Sequence, residues 1–169
     1  MTIRPVVIIL AAAALAACAT PYGARSPVGP ASSAFNEADF AWSALGGQGG
    51  VEGSVVYARD GQSYGCTGSV ALTPDTPYTR ARFQALYGST DQAAVPEAVI
   101  RARTVADPNA DYRSYVRSSS CADNRFSLSG LPDGGWFAVV PVAPSAGGDR
   151  IVLMRRLETR GGRVVRITF

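Results

Sequence analysis

The chain of 169 residues carries no histidine and no lysine, so all sixteen of its basic residues are arginine. Ser-His-Asp and Cys-His nucleophiles, imidazole metal ligands, Schiff-base chemistry and a phosphate-loop lysine are therefore excluded. Acid-base chemistry would have to rest on Asp, Glu, Ser, Tyr or Arg, and no carboxylate pair is marked by its spacing. The expectation is a protein that is not an enzyme and has no catalytic residue, cofactor or metal. Asp107-x-Asn109-x-Asp111 places three oxygen ligands at the one-three-five spacing of a calcium loop. Tyr112 then stands where the loop needs glycine, and Ser118 where it needs a bidentate glutamate. A solvated turn around Pro108 is the default, with an irregular cation site as the other reading.

Arginine offers the main candidate binding chemistry, because its planar fork suits carboxylates and phosphates. Arg101 and Arg103 would share one face of a predicted strand, with Arg80 and Arg82 nearby in sequence. Arg155, Arg156, Arg160, Arg163 and Arg166 would cluster on a predicted terminal hairpin. The competing reading is that these residues charge solvated strand faces and discourage edge pairing. The tyrosines Tyr78, Tyr112 and Tyr115 are candidates for sugar recognition if they face solvent. A net charge of +3, spread among aspartates, is too mild to imply nucleic acid.

Cys18 has a different setting. Arg4 is followed by the apolar run Val6–Ala14 and then by Leu15-Ala16-Ala17-Cys18. The apolar stretch is about a dozen residues, short of the ~20 that span a bilayer as a helix, and reads as an export signal over residues 1–17. The tetrapeptide resembles a bacterial lipobox. That resemblance implies cleavage before Cys18, acylation of its thiol, and a lipid-anchored envelope protein. With no aspartate after Cys18, it leans towards the outer membrane, facing the periplasm. With Cys18 lipidated, Cys66 and Cys121 remain as an even pair in an oxidising compartment, where a disulfide is expected. Two separately buried thiols are the alternative.

These residues need positioning elements. Residues 18–50 are rich in Pro, Ala, Ser and Gly and read as a flexible tether. Within it, Phe35, Ala38, Trp42 and Leu45 fall at helical spacing behind a candidate N-cap, Ser33, which predicts a short helix that docks on the domain. From Val51 to Phe169 the chain reads as short strands separated by turn residues. Strands are predicted over 51–57, 67–73, 98–105, 125–128, 135–142, 149–157 and 163–169. Asp60-Gly61 is a hairpin signal. The segment 78–87 has helical spacing that Gly88 would stop. Trp136, Ala138, Val140 and Val142 should share one strand face, with Phe137 and Val139 on the other. About seven strands with short, mostly antiparallel connections predict one immunoglobulin-like, all-β sandwich over 51–169.

Gly53 and Val55, then Cys66, Gly68, Val70, Leu72 and Pro74, and later Arg125-Phe126-x-Leu128-x-Gly130-Leu131-Pro132-x-Gly134-x-Trp136-Phe137, carry a resemblance to carboxypeptidase regulatory-like domains. The resemblance covers roughly residues 51–142 and implies a prealbumin-like β-sandwich. It specifies a fold better than a function, because such domains serve as stabilising, carbohydrate-related or adhesion modules. The enzymes that share this architecture, the hydroxyisourate hydrolases, use histidines that this chain lacks. The sequence thus points to a non-enzymatic, membrane-anchored lipoprotein whose domain binds or supports an envelope component, either an envelope protein, lipopolysaccharide or peptidoglycan. The alternative is an accessory module for cell-wall glycan or another carbohydrate.

Overall fold

The computed structural model describes residues 34–103, 105 and 110–169, and the compact unit runs Ala31–Phe169. Cys18, the signal segment and the tether through Ser33 lie outside the described residues, as do Asp107, Pro108 and Asn109.

Two sheets face each other across one apolar core, as the strand pattern predicts. The smaller has three strands: β1 (Gly49–Ser54) pairs in parallel with β10 (Val164–Thr168) and antiparallel with β7 (Arg125–Leu131). The larger is built around β8 (Gly134–Pro144). One edge of β8 carries β9 (Ile151–Thr159) and then β5 (Gln92–Pro96). The other edge is divided between β4 (Ser69–Pro74), followed by β6 (Arg117–Ser120), and β3 (Gln62–Cys66), followed by β2 (Tyr57–Arg59). Alternation on β8 is as expected. Trp136, Ala138, Val140 and Val142 enter the main core with Val51, Leu72, Leu128 and Leu153, while Phe137 and Val139 face outward. There Phe137 stacks on Phe83 of helix α2 (Pro77–Tyr87) at 4.4 Å between ring centroids, beside Met154.

Local chemistry explains most elements. Asp60 and Gly61 take φ of 52° and 76° between the paired residues Arg59 and Gln62, which makes a two-residue turn that matches strand twist. Thr76 accepts from the Thr79 amide while the Thr79 hydroxyl accepts from the Thr76 amide, Pro77 begins α2, and Gly88 ends it in a left-handed conformation. The Cys66–Cys121 disulfide forms, with 6.2 Å between Cα atoms, and ties the end of β3 to the residue after β6.

Ten strands, not seven, occur among the described residues. The predicted strand 51–57 is really two, because β1 and β2 pair in different sheets. Residues β3, β5 and β6 are polar or alanine-rich and show little apolar alternation, so their pairing is set by their neighbours. The strand predicted over 98–105 is instead a short helix, α3 (Glu97–Ala102). Pro96 precedes it with a fixed φ, Ala98 and Ala102 favour helix, and Glu97 accepts from Arg101 one turn on, which outweighs the two β-branched residues. The predicted terminal hairpin also gives way: after β9 the chain crosses to the smaller sheet, where β10 lies parallel to β1. The last part of the predicted tether, from residue 34 on, packs on the domain. A 3-10 turn (Glu37–Asp39), capped by Asn36, leads into the single turn α1 (Ala41–Ala44). Phe40 is fully buried, and Trp42 meets Trp136 edge-on at 5.0 Å. Leu45, predicted to share that apolar face, is 62% exposed.

Candidate functional site

The arginines singled out by sequence do not form one surface. Arg101 lies on α3 and bonds Glu97, and Arg103, past the helix end, donates to the Leu86 carbonyl, so the two share no strand face. Arg156 donates to Asp75 at 2.5 Å. Asp75 also takes both a 2.5 Å and a 2.9 Å bond from Arg80, and its side chain is only 1% exposed. This carboxylate is a buried clamp between the start of α2 and β9, and its hydrogen bonds hold the Arg80 guanidinium above the usual arginine range. Arg160 bonds Glu158 in the crossing loop, Arg163 lies beside it, exposed, and Arg166 bonds Glu52 across the small sheet. Arg155 donates to the Thr168 carbonyl.

The three candidate tyrosines also fail to form a solvent-facing strip. Tyr78 is buried and packs edge-on against Phe35 and Phe40, and Tyr115 lies 5.1 Å from Phe40 and donates to Glu37. Tyr112 sits beside Tyr78 with the guanidinium of Arg82 over its ring. These rings fasten the segment around Phe40 and the 3-10 turn Ala110–Tyr115 to the domain. Asp111 is in that turn, and the rest of the calcium-like motif is outside the described residues. Among the described residues no three His, Cys, Asp or Glu side chains converge.

Among the described residues, two hollows are both bordered by Thr168. The first is a ledge of about 340 Å³ that arises because the two sheets differ in width. Strand β10 is the margin of the small sheet and lies against β9, so β5, one strand further out, extends beyond it. Ala94 and Leu153 turn their side chains towards the ledge, Ala93 and Met154 border it while their side chains pack on the α2 side of the sheet, and Tyr57 with Phe169 makes the wall. Gln92 and Arg155 are register partners on the rim. Both rings are half-buried: Tyr57 is held edge-on by Tyr64, and Phe169 packs towards Phe126. One Arg155 N–H is taken by Thr168, which fixes the fork and leaves four donors. An apolar hollow of this size with two convergent polar groups has the make-up of a small-ligand site.

The second hollow is a polar trough of about 610 Å³ on the outer face of the small sheet. Strand alternation sends Glu52 and Ser54, Arg125 and Ser127, and Arg166 and Thr168 outward, because Val51, Phe126 and Leu128 are in the core. Phe126 lies flat on Gly53, whose absent Cβ would fall 2.0 Å from the ring.

Neither ledge nor trough was legible as a site in the sequence. Tyr57, Gln92, Phe169 and Arg125 come from separate segments, and no spacing links them.

No protein-family model and no curated protein sequence matches the chain. Among solved structures it is similar to a Pseudomonas aeruginosa protein described as a "putative carbohydrate binding protein", with 23% identity and a TM-score of 0.55. The match covers 80% of this chain and 97% of the other, and the likeness is one of fold.

Proposed function

We propose that this chain is a non-catalytic, lipid-anchored envelope module that binds a saccharide in the ledge between β5 and the end of β10. The anchor is Cys18, in the lipobox-like Leu15-Ala16-Ala17-Cys18, and the site of action is the periplasmic face of the outer membrane.

The observation that carries the saccharide reading is the composition of the ledge. A pyranose has an apolar C–H face and a rim of hydroxyls. Tyr57 and Phe169 offer ring surface to the first, while the Gln92 amide and the Arg155 fork offer donors and an acceptor to the second. The side chains are pre-placed by the β5–β9 ladder and by the Arg155 bond to Thr168, so little ordering is lost on binding. The carbohydrate assignment of the Pseudomonas protein of similar fold agrees in class.

A glycan array of muropeptides and lipopolysaccharide oligosaccharides, probed with the full chain, should return saccharide ligands. In calorimetry on the best of these, Tyr57→Ala should weaken binding about tenfold, equivalent to ~1.4 kcal/mol, and Tyr57→Phe should weaken it little. An empty array, or a Tyr57→Ala protein that binds as the parent does, would rule the reading out.

A further inference from the structure

The geometry points to a second site, independent of the ledge: the polar trough on the outer face of the small sheet, which holds a phosphate group. Its cations are Arg125 and Arg166. Arg166 stands opposite Glu52 and gives it one 2.9 Å bond through Nε, so these two charges offset one another and the terminal nitrogens stay available. Arg125 is exposed at the start of β7, with a side chain bonded to none of the described residues. The trough is left with one uncompensated positive charge.

The strand register says where that charge acts. Arg125, Ser54 and Thr168 form one row across β7, β1 and β10, and Ser127, Glu52 and Arg166 form the next. The two guanidinium stems thus rise about 10 Å apart across two strand spacings and about 7 Å apart along the strands, so the forks flank the space over Ser54 and Glu52. That space is hydroxyl-rich. Ser54 and Thr168 hydroxyls meet at 3.1 Å, and Ser127 and, from β6, Ser119 and Ser120 close the remaining sides. A phosphate presents three strong acceptor oxygens with a charge near −2, which suits one free fork, a second partly free one and a ring of hydroxyl donors. Glu52 opposes an anion, and its bond to Arg166 draws it to the β10 side of the trough.

The test uses the full chain carrying Cys18→Ser, which takes no acyl chain. Calorimetry with inorganic phosphate, glucose 1-phosphate and glucose should show binding of the two phosphates and none of glucose at this site. Added salt should weaken it. Arg125→Ala should weaken it about tenfold, the size of one charge-assisted bond, with Arg125→Lys in between. A second arm co-sediments the protein with phosphatidylcholine vesicles with and without phosphatidic acid. Capture only by the acidic vesicles, lost in Arg125→Ala, assigns the phosphate to a lipid headgroup, whereas binding in free solution assigns it to a soluble or glycan phosphate. The proposal fails if no phosphate binds in either arm, or if Arg125→Ala binds as well as the parent. Tyr57→Ala should leave phosphate binding intact, so this site and the saccharide ledge stand or fall separately.

Discussion

Folding alters the ionisation of Tyr87. Burial at the end of α2, with Tyr112 adding to it and Arg82 opposing it, pushes its phenol from 10.0 up to about 12. A proton held more tightly in the folded state gives stability that is complete below pH 10 and is lost as pH rises through 12. Two units correspond to about 3 kcal/mol, and Tyr87→Phe should remove that alkaline loss. Urea unfolding of parent and variant at pH 9 and at pH near 12 measures it; an equal fall in both would show that Tyr87 is not the group responsible. Residue identity was a poor guide to role among the arginines. Arg156 has the same side chain as Arg125, yet one closes a buried clamp on Asp75 and the other faces open solvent. Which neighbour lies across the sheet decides this, and it is not written in the residue or its local spacing.

The element that leads into the sandwich is the segment from Phe35 to Ala44, and its fit depends on Gly134. A Cβ there would stand 2.2 Å from the Trp42 ring, which rests on Trp136, whose indole N–H donates to Thr159. Gly134→Ala should therefore expel Trp42 and cost about 1–3 kcal/mol. Trp fluorescence and denaturant unfolding check it. In a double-mutant cycle, Gly134→Ala added to Trp42→Ala should cost little more than Trp42→Ala alone, and full additivity would contradict this packing. Elements with strong local signals were legible: the Asp60-Gly61 hairpin, β7 to β8 with their alternating apolar residues, and in part α2, whose helical spacing and Gly88 stop were visible while its Thr76 cap was not. Strands β3, β5 and β6 were not, because a polar edge strand owes its conformation to the ladder it joins. Segment 98–105 misled for a related reason, since two β-branched residues suggest a strand while Pro96 and the Glu97–Arg101 pair start a helix turn.

At the scale of the whole molecule the disulfide closes a loop with a sequence separation of 55, which in the chain-entropy model disfavours the unfolded state by about 4 kcal/mol. The domain thereby gains stability that suits an oxidising compartment. If Cys18 is the anchor, a palmitate analogue should label the parent in cells and leave Cys18→Ser unlabelled and released from the membrane fraction; equal labelling of both would overturn the anchor. The sequence by itself determined the all-β class, the β8 core face and the exclusion of histidine and lysine chemistry, since each follows from residue type or from a period of two along one strand, whereas it left open whether Cys66 and Cys121 pair or stay separate thiols. Only the tertiary structure decided where binding is expected. The ledge exists because the large sheet extends one strand beyond the small one, and the trough because β10 crosses over to lie parallel to β1. Both depend on which distant strands pair, a property of the assembled backbone that no local pattern encodes.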